Sequence, residues 1–289
     1  MSHNATGEIA LTVIDQSVLQ RVRQRRSAGE SLKTLAAEVG LTWQRLWGLL
    51  YSQPSQKGQH LPRLEATCAG GRLTEKYRPL SLDAIWGQES VVKVLTKFAS
   101  QPYSTSMLFE GPTGTGKTSA ALALAAALGC DLQQQEFGGV QTIASGEQSA
   151  DAVRETCRLM WNTPMYGSGW KVVIVNEADR MHPAAETVWL DRLESLPPRT
   201  VVIFTTNYTS RLSQRFMDRC TRLAFESNAD ALRASATQFA AALWRAETGK
   251  QPDPARIQQI VQATESEGHL SFRRLVQALT VALGSEGAQ

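Results

Sequence analysis

The sequence predicts an α/β fold: a three-layer core on a parallel sheet, a helical lid after it and a small all-α domain ahead of it. Three observations carry this. GPTGTGKT at residues 111–118 fits the phosphate-loop pattern G-x-x-x-x-G-K-[ST]. Continuous β-branched runs at 172–175 (VVIV) and 201–206 (VVIFTT) read as strands buried on both faces, and helical patterns around 150–161 and 184–196 alternate with them. Beyond residue 227 the strand pattern stops, and 231–248, 253–264 and 271–283 read as three helices.

Taken in order, residues 1–52 form a domain whose apolar spacing from about residue 10 is helical, and 53–72 (QPSQKGQHLPRLEATCAGGR) form a linker without apolar period. Residues 73–227 are the core and 228–289 the lid. Within the core, MLFE at 107–110 is a short buried strand, and SAALALAAAL at 119–128 is dense in strong helix formers. That strand–loop–helix setting is the one a phosphate loop requires. The glycines let the backbone N–H groups of Gly111, Pro112–Gly116 and Ser119 curl toward one centre (proline excepted), and the helix start adds a positive dipole end. Lys117 then reaches the β- and γ-phosphates and the Thr118 hydroxyl ligates Mg²⁺, so a nucleoside triphosphate with Mg²⁺ is the predicted ligand.

A second strand must bring polar chemistry to that loop. The run 172–179 (VVIVNEAD) does so, with Glu177 placed to activate water. Asn176 stands where a metal-holding carboxylate is expected; an amide lacks the charge, so metal binding weakens and hydrolysis slows. Asp179 is a candidate to compensate.

Composition narrows the class. Hydrophobic residues make up 42% and charged residues 20% of 289, ordinary for a soluble globular protein. No apolar run is long enough to span a bilayer, and the first ten residues lack a secretory pattern, so a cytoplasmic setting is expected. Cys68, Cys130, Cys157 and Cys220 are widely spaced, which argues against zinc and for reduced thiols. The charge is uneven: residues 1–72 carry nine Lys/Arg against five Asp/Glu.

Residues 73–225 resemble the AAA+ ATPase core of replication clamp-loader small subunits. EKYRP at 75–79, Asp83 and Gly87-Gln88 are similar to that family's adenine-side box. The phosphate loop, the strand ending in 177–179 and Thr205-Thr206-Asn207 follow in family order. The resemblance implies that Tyr77, Arg78 and Pro79 line the adenine and that Asn207 holds water near the γ-phosphate. The family's Ser-Arg-Cys motif corresponds to Asp218-Arg219-Cys220, so Arg219 is the arginine that reaches a neighbouring subunit's site, with Arg215 second. The aspartate in place of serine implies partial pairing of Arg219 within its own chain. GHLSFRRL at 268–275 is similar to the sensor-2 segment, with Arg273 the phosphate-facing residue and Arg274 the runner-up. The family's helical collar domain has no counterpart in this sequence, nor does the bacterial zinc module; the reading is therefore a relative with a changed assignment.

The front domain has helix-turn-helix layout over residues 32–51 (LKTLAAEVGLTWQRLWGLLY). Leu35 and Ala36 face inward, Gly40 turns the chain, and Leu41, Leu46 and Leu49 pack the second helix, which Thr42 caps. That helix presents Trp43, Gln44, Arg45 and Trp47 to a DNA groove, while Arg21, Arg23, Arg25 and Arg26 suit phosphate contacts. A protein-docking bundle with the tryptophans as core is the competing reading, as is a merely solvated arginine face.

The predicted function is an ATP-hydrolysing AAA+ protein that assembles as a homo- or hetero-oligomer on DNA. There it loads or recruits a replication or recombination partner such as a sliding clamp, a helicase or a transposase. Two alternatives stand: a transposition target-selection ATPase, and a DNA-binding transcription regulator whose nucleotide only sets oligomeric state.

Overall fold

The computed structural model of the chain describes residues 71–134 and 137–286, residues 30–40, and nine single positions before residue 71 (Val18, Arg21, Val22, Gln24, Arg25, Leu46, Pro62, Leu64 and Ala66). Contacts divide the chain into two units, Met1–Gln59 and His60–Gln289.

In the first unit, helix α1 (Leu32–Glu38) buries Leu35 and Ala36 against Val22 and Leu46. A small side chain at 36 permits that close packing, and Gly40 follows with φ +66°, a turn that glycine makes without strain. Arg21 is exposed. Arg25 is engaged inside the unit, its guanidinium bonding Glu30 at 2.6 Å and Glu38 at 2.6 Å. Arg23, Arg26, Thr42, Trp43, Gln44, Arg45 and Trp47 lie outside the described residues.

The second unit opens with α2 (Leu73–Lys76) and α3 (Glu89–Ser100). The core then alternates β1 (Thr105–Glu110), α4 (Lys117–Ala127), β2 (Val140–Ile143), α5 (Ala150–Leu159), β3 (Lys171–Val175), α6 (Pro183–Leu193), β4 (Thr200–Thr206), α7 (Gln214–Met217) and β5 (Thr221–Ala224). The sheet order is β2-β3-β4-β1-β5 and every pairing is parallel.

Side chains alternate across this sheet, so each strand feeds two cores. Met107, Phe109, Val172, Ile174, Val201 and Ile203 pack on the side of α3 and α4. Leu108, Val173, Val175, Val202 and Phe204 pack on the side of α5 and α6. Burial of both faces is why the strands read as unbroken apolar runs. Phe204 lies edge-on to Trp189 at 5.1 Å and to Phe216 at 4.7 Å, which anchors the end of β4 beneath the residues that reach the site.

The lid comprises α8 (Ala229–Thr248), α9 (Pro254–Thr264) and α10 (Phe272–Glu286). Asn228 caps α8, accepting from Asp230 and Ala231 N–H, and Asp253 caps α9. The lid is not wholly helical, as the sequence pattern implied. A two-residue antiparallel pair, β6 (Glu265–Ser266) and β7 (His269–Leu270), joins α9 to α10. Its turn residues, Glu267 and Gly268, have φ of 53° and 76°. Strands this short and polar carry no apolar run for a sequence reading to detect.

Candidate nucleotide-binding site

The site forms where β1 ends and α4 begins. Gly111, Gly114 and Gly116 all have positive φ (146°, 82° and 96°), and α4 starts at Lys117. Gly114 also has no room for a side chain: a Cβ there would lie 2.0 Å from Ser271 Oγ at the start of α10. Thr115 is buried and its hydroxyl donates to Pro112 O at 2.9 Å, so it braces the loop from within. Lys117 folds back over the loop, donating to Gly111 O at 2.7 Å, Pro112 O at 2.8 Å and Asn207 Oδ1 at 3.0 Å. Burial, and then the nearby charge of Arg273, lower its pKa from 10.5 to about 8 despite Asp179 and Glu177. A desolvated ammonium facing a second cation is a centre that an anion would stabilise.

Thr118 Oγ1 donates to Asn176 Oδ1 at 3.0 Å, so the two residues predicted to hold a metal do meet. Both donors are oxygen and both are neutral, a set that fits Mg²⁺ only when the phosphates supply the charge. Asp179 is engaged on another strand. The Ala178–Arg180 turn swings it toward β4, where its Oδ1 accepts from Thr206 Oγ1 at 2.9 Å and Asn207 N–H at 3.1 Å. Its effect is to orient Asn207. Among the described residues no cluster of three or more His, Cys, Asp or Glu is arranged for a metal.

Glu177 takes a left-handed backbone, φ 53° and ψ 53°, which costs a non-glycine residue roughly 1–2 kcal/mol. Its Oε2 accepts from Ser145 Oγ at 2.6 Å and pairs with Arg180 Nε at 3.2 Å. From the lid, Arg273 Nη1 approaches Thr113 Oγ1 at 3.4 Å. Arg274 is exposed one residue further along α10. Of the two, Arg273 is the residue over the phosphate loop.

The adenine-side segment is the main departure. Tyr77 does not offer its ring on an open face: it is buried in the lid cluster with Trp86, Leu243 and Leu279, and its hydroxyl donates to Glu247. A buried phenol needs an acceptor, and Glu247 on α8 is the one within reach. Lys76 pairs with the same carboxylate at 2.7 Å. Arg78 pairs with Glu75 at 2.9 Å, and Pro79 is half-buried beside it.

Arg219 is paired within the chain, with Glu194 and not with Asp218. Its Nη1 also donates to Arg215 O at 2.9 Å, while Asp218 accepts from Gln214. Arg215 is exposed, beside a groove of about 470 Å³ between α6 and α7 that Glu186 and Leu190 help to line.

Several residues shape the site through contacts that their local sequence does not reveal. Gln88 is buried, holds Glu226 through its N–H at 2.8 Å and its O at 2.9 Å, and approaches Thr115 O at 3.4 Å. It thereby ties the phosphate loop to the junction of core and lid. Ser145, Gln148, Thr205 and Glu247 are similar cases: single polar side chains whose partners are distant in sequence.

A parallel sheet in this strand order, a glycine loop running into α4 and a helical lid closing over it define the AAA+ class of phosphate-loop proteins. The structure of the Thermotoga maritima RuvB Holliday junction branch migration motor matches with TM-score 0.53 and 20% identity, over 70% of this chain and 64% of that one. At that identity the likeness is one of fold. The family described as DNA polymerase III, delta subunit, matches residues 87–229. Replication factor C subunit 3 of Blastobotrys adeninivorans is 34% identical over 158 residues, 52% of this chain and 44% of that protein. The replication factor C small subunit of Thermofilum pendens is 36% identical over 155 residues, 53% of this chain and 46% of that protein. Over about half its length the chain is thus similar to clamp-loader-type AAA+ proteins. The chain spans less than half the length of these curated relatives.

Proposed function

We propose that this chain binds ATP with Mg²⁺ at the phosphate loop, hydrolyses it slowly, and assembles as an oligomer on DNA to load or recruit a replication or recombination partner. The observation that carries this is Lys117, buried against Asn207 and beside Arg273, a cationic centre at the mouth of a glycine loop. Lys117 and Arg273 bind phosphate charge, Asn207 orients the attacking water and Glu177 accepts its proton. Thr118 and Asn176 would hold Mg²⁺, which when bound neutralises charge across the phosphates. Binding of ATP and release of phosphate, measured across protein concentration with and without DNA, test the reading. Turnover should rise with DNA and with concentration; flat turnover under all conditions rejects it.

Asn176 sets the expected rate. In Asn176→Asp the Oδ1 that accepts from Thr118 is kept and a negative charge is added. ATP affinity should hold and hydrolysis should rise by on the order of tenfold or more, in line with the weight of groups that support a metal ligand. A fall in phosphate release on restoring the carboxylate would contradict the metal argument. The same residue favours one second reading, a DNA-binding regulator in which nucleotide sets oligomeric state with negligible turnover.

DNA binding rests on the basic excess of residues 1–72, with Arg21 exposed and Arg25 committed to Glu30 and Glu38. The full chain should retard duplex DNA at low salt and lose affinity steeply as salt rises, by about one power of salt concentration per phosphate contacted. No retardation at low salt would turn the front unit into a protein-docking module.

A further inference from the structure

Glu177 is held by its backbone as well as by its carboxylate. It follows a parallel strand, yet its φ and ψ are both 53°, a conformation that non-glycine residues keep only where neighbours impose it. The other described residues of this kind, Arg199 and Glu267, sit in exposed turns. At Glu177 the imposition comes from both ends of the peptide that joins it to Asn176. On one side the Asn176 carbonyl accepts from Gln148 Nε2. On the other, Glu177 N–H donates to Thr205 Oγ1 at 3.1 Å.

Gln148 is 4% and Thr205 3% exposed, and they come from different elements, the β2–α5 loop and β4. With its carbonyl and its N–H both bonded to buried side chains, the peptide plane is fixed. The Thr205 hydroxyl also donates to Asn176 Oδ1 at 3.5 Å, the oxygen that accepts from Thr118. An unbroken line of hydrogen bonds therefore joins the phosphate-loop threonine to the backbone of Glu177. Glycine at 177 would adopt the conformation freely but would carry no carboxylate.

We infer that Gln148 and Thr205 are positioning residues for Glu177: they lock the 176–177 peptide and so aim the carboxylate at the phosphate site. The inference rests on the reading of Glu177 as the water-activating base. It is tested in the full chain with Thr205→Val, Thr205→Ser, Gln148→Ala and the double variant Gln148→Ala/Thr205→Val. ATP affinity, single-turnover hydrolysis and amide exchange at Glu177 (NMR with glutamate-selective ¹⁵N labelling) are measured on each. Thr205→Val and Gln148→Ala should lower the hydrolysis rate by on the order of 10²-fold with ATP affinity unchanged, the loss expected of a misplaced reacting group. Thr205→Ser should restore it. The double variant should fall no further than the worse single one, because both act on one peptide. Thr205→Val should speed Glu177 amide exchange and Thr205→Ser should leave it protected.

Variants that keep the parent's rate, or that lose affinity and rate together, overturn the inference. A parent with no turnover removes the functional reading instead, and amide exchange still decides: equal exchange at Glu177 in parent and Thr205→Val overturns the positioning role.

Discussion

Lys117→Met should leave the protein folded and unable to retain ATP. The ammonium supplies charge-assisted bonds that no neutral side chain replaces, and losing them should weaken binding by about 3 kcal/mol or more, at least a hundredfold in Kd. Stability should move the other way. Burial lowers the Lys117 pKa from 10.5 to about 8, so the charged form is a liability to the free fold. That liability is fully present below pH about 8 and fades as pH rises toward 10.5. Methionine removes it, and the free variant at neutral pH should melt at or above the parent's temperature. In the parent, ATP binding should take up a proton near pH 8, and affinity should fall as pH rises through that value. Calorimetry in buffers of different ionisation heat reads the proton directly. A variant that binds ATP like the parent, or that unfolds, contradicts this account.

Arg219→Ala should remove most turnover, roughly 10³–10⁵-fold, if its guanidinium completes a neighbour's site. The pair it makes with Glu194 does not oppose this. Its side chains are 32% and 63% exposed, and surface pairs of this kind contribute only about 0–1 kcal/mol. A triphosphate offers more charge than one carboxylate. Glu194→Gln, which frees the arginine, should therefore cost no activity. Mixing supplies the decisive measurement. Lys117→Met subunits keep Arg219 but have no working loop; Arg219→Ala subunits keep the loop but lack the arginine. Neither should turn over alone, and mixed together they should recover part of the parent's rate. No recovery means the arginine does not act between subunits. If Arg215→Ala silences the protein while Arg219→Ala does not, the role belongs to the exposed residue one helical turn earlier.

The parts of this molecule that could be read from the chain are those in which chemistry forces a local pattern. A loop that curls around phosphates requires glycines at fixed spacing, and 111–118 has them. Strands covered on both faces require unbroken apolar runs, and β3 and β4 have them. The first β-branched run ends at Asn176-Glu177 and the second at Asn207, and β3 and β4 pair side by side. Tyr77 shows what such reading leaves out. Its place in an EKYRP segment pointed to a base, but its burial depends on α8 and α10, more than 150 residues away. The β6–β7 pair escaped notice because two-residue polar strands leave no periodic trace.

Order along the chain was thus enough to predict the α/β core, the phosphate loop and the lid, and to put forward Lys117, Thr118 and Glu177 as its reactive set. Folding in three dimensions decided how those groups are disposed. It bonded Asp179 to Thr206 and Asn207, paired Arg219 with Glu194 instead of its neighbour in sequence, and set Arg273 beside Thr113. It also gripped the Glu177 peptide between Gln148 and Thr205. The physical reason is common to all four. Side-chain type and spacing follow from the local backbone, whereas the direction of a polar side chain is set by whichever donor or acceptor burial brings alongside it, and those partners lie on other elements.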